Sequence, residues 1–462
     1  MLKNCCTIIS LGCAKNLVDS EQLLGKLEQA GYPITHDLDQ ADVIIVNTCG
    51  FLASSRKESY DAIDEALTRK RNGQAKYVLV AGCLVQTDKS VLQETCQGVD
   101  AVLDVFSREA ILEALDRLTA DPKNAAQVKL PMFYENYQPN VLPSDETRHA
   151  LTPGHIAFMK IAEGCNRTCS FCLIPKIRGQ YISKPIEQCI DEANRLADSG
   201  VKELVLLAQD TSFYGSDLYG KPQLAQLLQQ LDKIENLNWI RLMYLYPLAV
   251  DDYLIDTIAG AQRVLPYVDM PLQHIDNEVL RLMHRGVSGD KTRALLDKMR
   301  RKIDGLVLRT TLISGFPGET KSAHKSLVKF LKQQRFNHVG VFEFSPELGT
   351  EAANLPDQVD EKTIHERAQE LMDVQAEINV QMNEEIIGNV VECVLDYELE
   401  DSPGVFIGRT WMDAPDVDGV VYVTYPQEDK EGPKKRPLKE GQFLNANIVD
   451  QEEYDLIGIP EQ

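Results

Sequence analysis

No stretch of the 462 residues reaches the roughly 18 consecutive apolar side chains that a membrane-spanning helix needs. The opening MLKNCCTIISLGCAKN also lacks the long apolar run and small-residue cleavage site of a secretory signal. A cytoplasmic protein with no membrane partner is expected. Positive charge is short as well: 48 Lys and Arg stand against 70 Asp and Glu, a formal net charge of -22. That balance argues against the broad basic surface of a general nucleic-acid binder and suits a basic partner. Internal repeats and low-complexity tracts are missing, and 44% hydrophobic with 26% charged residues describes a globular chain, neither disordered nor fibrous. Cysteine, by contrast, is plentiful. In a compartment that keeps thiols reduced, 11 cysteines are not expected to pair as disulfides, which leaves metal ligands or core thiols.

The periodicity predicts an α/β multidomain chain. In residues 1–140 the apolar runs CCTIIS, DVIIVNT and KYVLVAG read as buried parallel strands, each followed by a helix-competent segment, so a small doubly wound α/β domain is expected. Residues 121 to 150 carry four prolines and little periodicity, as a linker does. Across 150–380, HIAFMKIA, ELVLLAQ, WIRLMYLY, PYVDMPL, LVLRTTLI and HVGVFEF alternate with helical segments and predict a partial (β/α)6 barrel, with chemistry at its C-terminal strand ends. Residues 361 to 383 read as one long helix. Over 384–453, VVECVLDYE, GVFIGRT, GVVYVTY and FLNANIVD are split by Pro and Gly turns and predict a small antiparallel β-barrel.

The segment GCNRTCSFC, residues 164 to 172, spaces Cys165, Cys169 and Cys172 as CxxxCxxC directly after the first predicted barrel strand, with no fourth cysteine nearby. Three thiolates can hold three irons of a 4Fe-4S cubane and leave the fourth open, unlike the ferredoxin run that fills every site from its own chain. A zinc site completed by a distant ligand and a set of core thiols are the alternatives. A second triplet is spread out: Cys13, Cys49 and Cys83 each follow a predicted strand, in TIISLGC, VIIVNTC and LVAGC. Loops leaving parallel strands emerge on one edge of the sheet, where the three can converge. Cys5, Cys6, Cys96, Cys189 and Cys393 read as packed thiols.

With these motifs the chain resembles the radical S-adenosylmethionine (SAM) enzymes, whose CxxxCxxC loop binds a 4Fe-4S cluster that SAM completes; the aromatic residue before the last cysteine is Phe171. LAQDTS (207 to 212), with Gln209 and Asp210, resembles the segment that meets the methionine part of SAM. LISGFPGET (312 to 320), with Gly315 and Gly318, resembles the glycine-rich segment near the adenosine; it could equally be an ordinary turn. Within that superfamily SLGCAKN, NTCGF and AGCLVQ are similar to the three N-terminal motifs of the methylthiotransferases, and the resemblance extends to a C-terminal barrel of TRAM type. It implies a second 4Fe-4S cluster on Cys13, Cys49 and Cys83, again with an open iron. It also implies two uses of SAM, one to methylate a cluster-bound sulfur and one to generate the radical that activates a C-H bond.

Two branches of that family are known, one acting on an adenosine of transfer RNA and the other on the β-carbon of an aspartate in the twelfth protein of the small ribosomal subunit. Residues 384 to 462 carry six Lys and Arg against nineteen Asp and Glu, a net of -13, which would repel RNA phosphates and attract a basic ribosomal protein. DMPLQHIDNEVL, YLYPLAV and GRTWMDAPDVDGVV also look like the ribosomal-protein branch, whereas the cationic KKR at 434 to 436 runs the other way. The substrate implied is therefore the basic ribosomal protein, free or within the ribosome, with a reductant such as flavodoxin or ferredoxin as electron donor and transfer RNA disfavoured. The rival from another class is a non-catalytic iron-sulfur electron carrier or sensor.

Overall fold

The computed structural model describes residues 3–120, 132–134, 142, 147–425 and 437–461, so most of the expected linker and the KKR cluster lie outside the described residues. The N-terminal sheet runs in the order β1 (Cys6–Ser10), β2 (Val43–Thr48), β3 (Tyr77–Gly82), β4 (Ala101–Leu103) and β5 (Met132–Tyr134), every pair parallel. β2 and β3 are buried along their length because both faces are covered, and all but Asn47 and Thr48 of β2 are apolar or small. Leu23 and Leu27 of helix Ala14–Gln29 pack on one face with Leu115, while Ile63 and Leu67 of helix Ala53–Arg71 pack on the other. β5 falls inside the stretch read as linker. Three residues beside a proline carry no readable alternation, and only pairing with β4 reveals the strand.

The central sheet contains the six expected strands. Its members are β6 (Ile156–Lys160), β9 (Glu203–Leu207), β10 (Trp239–Leu242), β11 (Val264–Asp269), β12 (Val307–Ser314) and β13 (His338–Glu343), neighbours in chain order and all parallel. A short ribbon, β7 (Ala162–Glu163) with β8 (Ile182–Ser183), flanks the first cysteine loop. Helices cover the outer face. Helix Glu361–Ile386 joins them through Leu371, Val374 and Ile378, and leads into the last domain.

The inner face of this open sheet is closed by the two other domains. Phe158, Val205, Trp239, Leu265 and Tyr267 share one apolar cluster with Val18 of the N-terminal helix and with Val394 and Ala414 of the C-terminal domain. Burying each such side chain stabilises the docking by about 1.5–3 kcal/mol. GRTWMDAPDVD, read from sequence only as a branch marker, is the inserted segment: Arg409 donates to Glu203 at 2.7 Å and to Asp396 at 2.7 and 3.0 Å, and Tyr267 donates to Asp418 at 2.6 Å.

The C-terminal domain is a closed barrel, β14 (Val390–Glu398), β15 (Phe406–Thr410), β16 (Val421–Val423), β18 (Asp455–Pro460) and β17 (Phe443–Glu452). Closure differs from the all-antiparallel expectation, because β16 and β18 pair in parallel. β18 is also absent from the sequence reading. Its hairpin turns at Glu453, a non-glycine residue with φ of 54°, so the Gly or Asn signal that marks such turns is missing. Among the described residues no helix is long and apolar enough to cross a membrane.

Candidate active site

The first cysteine loop is held from three sides. Cys165 N donates to Gly179 O at 3.1 Å, Ser170 N and Oγ donate to Met283 O and Leu282 O at 3.2 and 2.7 Å, and Ala352 N donates to Ser170 O at 2.9 Å. Each sulfur then receives one N-H: Arg167 N to Cys165 Sγ at 3.4 Å, Arg285 Nη1 to Cys169 Sγ at 3.5 Å, and Ile174 N to Cys172 Sγ at 3.5 Å. Burial pushes the Cys165 thiol up to about 11 and the Cys172 thiol up to about 12. Deprotonation therefore needs a cation, which a bound metal supplies. The three cysteines, with Arg167, Lys176 and Glu351, line a cavity of about 380 Å³.

Two guanidinium groups stand at this cavity. Arg167 and Arg285 each lie 4.2 Å from the Tyr246 ring centroid, and the buried Arg285 Nε has no hydrogen-bond partner among the described residues. An orphaned cationic donor beside three thiols suits an anionic thiolate-metal centre or a carboxylate. Three thiolates can each hold a different iron of a cubane and leave the fourth open.

The supporting residues sit around the loop, most of them engaged within the protein. Phe171 packs edge-on against Phe316 at 6.3 Å, in the cluster of Met283 and Phe344. Gln209 Nε2 donates to Glu163 at 2.6 Å, while its buried Oε1 has no partner among the described residues. Asp210 accepts from Arg167 Nε at 2.8 Å and Ser212 Oγ at 2.6 Å, so its carboxylate steadies the cysteine loop. Gly315 and Gly318 both have positive φ, and a Cβ at either would fall 2.2 Å from Ile364 or 2.8 Å from Leu282. These glycines let the turn sit against its neighbours.

Cys13, Cys49 and Cys83 follow β1, β2 and β3 and converge on one sheet edge. A Cβ on Gly12 would lie 2.8 Å from Cys49 Cβ and 2.9 Å from its Sγ, and one on Gly82 would lie 2.5 Å from Asn47 Oδ1 and Thr48 O. With φ of 85° and 99°, only glycine lets the three loops approach this closely. Asn16 knits the first two: its Nδ2 donates to Leu11 O at 2.6 Å, Asn47 O at 3.2 Å and Thr48 O at 3.3 Å. Burial pushes the Cys83 thiol up to about 11. Against that, Arg178 Nη2 donates to Cys83 Sγ at 3.2 Å, a charge-assisted bond suited to a thiolate.

The two sites are neighbours. Helix Ile174–Arg178, which directly follows Cys172, packs Leu173 and Ile177 against Cys83 and Val105. Glu347, beside the segment that clamps the first loop, accepts from Ala53 N at 2.9 Å and Arg56 Nη1 at 2.6 Å on the Cys49 side. Lys15, two residues beyond Cys13, lies over the ring of Tyr244 at the end of β10. A buried network joins the domains: Asp19 accepts from Lys160 at 2.5 Å and Arg178 at 2.6 Å and pairs with Arg108, while Glu163 accepts from Lys160 at 2.8 Å. The neighbouring cations hold both carboxyls below the usual range in spite of burial. Sequence reasoning missed Lys15, Asn16, Asp19, Arg178 and Arg285. The one available signal was their closeness in sequence to a cysteine or to the His-containing PLQHID segment.

Comparison with known proteins covers the same ground. The sequence pattern of the Uncharacterized protein family UPF0004 matches residues 5–104, that of the Radical SAM superfamily residues 159–331, and that of the TRAM domain residues 387–460. The chain is 39% identical to the ribosomal protein uS12 methylthiotransferase RimO of Lachnoclostridium phytofermentans, over 98% of this chain and 99% of that one. It is 43% identical to the RimO protein of Aquifex aeolicus, over 98% and 96%. Among solved structures, the radical SAM methyltransferase TsrM of Kitasatospora setae shares the fold at a TM-score of 0.54 and 16% identity, with 73% of each chain covered. Aligned end to end with such relatives and matched to all three patterns in order, the chain belongs to the RimO family of radical SAM methylthiotransferases.

Proposed function

We propose that this enzyme adds a methylthio group to the β-carbon of an aspartate in ribosomal protein uS12, with Cys165, Cys169 and Cys172 holding one 4Fe-4S cluster and Cys13, Cys49 and Cys83 a second. One observation supports the reading most: the two groups of three cysteines are neighbours, with Cys83 packed against Leu173 and Ile177 in the segment that directly follows Cys172. The cofactors supply a radical from one-electron cleavage of SAM and, from a second SAM, the methyl carbon of the transferred group. An unactivated C-H bond has no acidic proton, so a general base would not serve, and the chain's part is to position, shield and tune.

Its residues divide those tasks. Arg285 and Arg167 place positive charge beside the first site, where thiolates and the SAM carboxylate would otherwise repel each other. Phe171, Gln209, Asp210, Gly315 and Gly318 border the SAM seat, Asp210 acting through Arg167 and the two glycines through close packing of the turn. Helix Ala14–Gln29 and the segment around Trp411 close the hollow of the sheet and keep water from the reacting centre. The acidic C-terminal domain, with its net of -13, favours a basic protein over transfer RNA. The enzyme acts in the cytoplasm and takes its electrons from a small reductant protein of flavodoxin or ferredoxin type.

The test offers anaerobically reconstituted enzyme, with SAM and reductant, three substrates in parallel: free uS12, small ribosomal subunits, and transfer RNA. A methylthiolated aspartate in either of the first two is expected. Product on the RNA alone refutes the proposal.

A further inference from the structure

We propose that Arg178 is a positioning residue for the N-terminal cluster: by donating from a fixed guanidinium to Cys83 Sγ, it raises that cluster's reduction potential and ties it to the loop of the other. The inference rests on the reading of Cys13, Cys49 and Cys83 as ligands. Arg178 enters from the barrel, six residues after Cys172, and reaches into the N-terminal domain. Both ends of the contact are buried, Arg178 being 2% exposed and Cys83 7%. The guanidinium cannot swing away, because Nη1 donates to Asp19 at 2.6 Å and Glu163 at 3.3 Å, while Nη2 spans Asn16 Oδ1 at 3.3 Å and Cys83 Sγ at 3.2 Å.

Charge gives this contact its sense. Among the described residues, the ion-paired set around Asp19 holds three cations, Arg108, Lys160 and Arg178, and two carboxylates, Asp19 and Glu163. A buried set with one cation in excess is completed by an anion, and the sulfur that Arg178 touches is the one in place to be it. Reduction of a thiolate-bound cluster adds one negative charge. A fixed N-H donor with positive charge at the sulfur favours the reduced form and raises the potential. Because the donor belongs to the first site's loop, movement of that loop would alter the second site's potential.

The experiment uses the full-length chain with Cys165→Ala, Cys169→Ala and Cys172→Ala, so that only the N-terminal site contributes, reconstituted anaerobically with iron and sulfide. The cluster is titrated with dithionite and mediators and followed by electron paramagnetic resonance. This parent should bind about four irons. Adding Arg178→Gln leaves the ion set with two cations and two carboxylates, so iron should stay bound. The reduced-to-oxidised ratio at the parent's midpoint should fall about tenfold, which for a one-electron couple is about 59 mV. Arg178→Lys, which keeps the charge but not the fork, should shift the midpoint less and in the same direction. An unchanged midpoint in Arg178→Gln overturns the proposal, as does loss of iron from both variants, which would assign Arg178 to folding alone. If only Arg178→Gln loses iron, the midpoint of Arg178→Lys decides: lowered supports the proposal, unchanged overturns it. A parent without iron refutes the ligand assignment itself, and the proposal with it.

Discussion

Replacing Asp19 with Asn tests whether the buried ion network holds the N-terminal sheet against the barrel. Asp19 is 2% exposed, and its two oxygens take Lys160, Arg178 and Arg108. The substitution leaves the three buried cations with Glu163 as the one carboxylate of their set among the described residues. Removing one partner of such a set costs about 3–5 kcal/mol, a large share of a total stability of about 5–15 kcal/mol. The pair Asp19→Leu with Lys160→Met removes one charge of each sign, and a buried pair replaced by packed apolar groups is often neutral. The double variant should therefore be more stable than Asp19→Asn, although it changes one more residue. Guanidinium denaturation followed by circular dichroism, with iron content measured alongside, reads both effects. Asp19→Asn within about 0.5 kcal/mol of the parent, or a double variant as costly as the sum of its single changes, would refute the reasoning.

Gly12→Ala should place a Cβ against Cys49 at a backbone angle that alanine resists, lowering iron from about eight per chain toward about four while SAM cleavage persists. Arg409→Met should cost about 3–5 kcal/mol in guanidinium denaturation, since Glu203 and Asp396 stay buried with one cationic partner fewer. His274 is buried, accepts at Nδ1 from Asp276 N at 3.0 Å, and has its pKa pushed down to about 4 by burial. The fold therefore requires the neutral ring: its contribution is present above the unfolded value near 6.5 and is lost as pH falls toward 4. Over that window the parent should lose about 2–3 kcal/mol more than His274→Asn, and parallel pH profiles of the denaturation midpoint would count against this role.

Long apolar runs made most of the architecture legible, because β2, β3 and the barrel strands β6, β9 and β10 are buried along their length. β5 and β18 escaped for opposite reasons, one too short to show a period and the other joined by a turn without its usual residues. The grouping of the six cysteines was legible, Cys165, Cys169 and Cys172 from their CxxxCxxC spacing and Cys13, Cys49 and Cys83 because a cysteine follows a strand end three times. Their partners were not. Lys15 and Asp19 lie on a polar stripe of helix Ala14–Gln29 that reads as its solvent face, yet both are buried because the barrel packs there, through Tyr244, Lys160 and Arg178. Periodicity reports that a face is polar and does not report what later packs on it. The turn at Gly315 and Gly318 was legible as a turn, but its closeness to Ile364 and Leu282 depends on helices remote in sequence.

The central claim is that two clusters divide the labour, Cys165, Cys169 and Cys172 serving SAM cleavage and Cys13, Cys49 and Cys83 serving sulfur delivery. Deoxyadenosine and methylthiolated uS12 measured together in anaerobically reconstituted Cys169→Ala and Cys83→Ala proteins test it most directly. The account predicts neither product from Cys169→Ala, and deoxyadenosine without methylthiolated protein from Cys83→Ala. Normal SAM cleavage by Cys169→Ala, or full methylthiolation by Cys83→Ala, would contradict it.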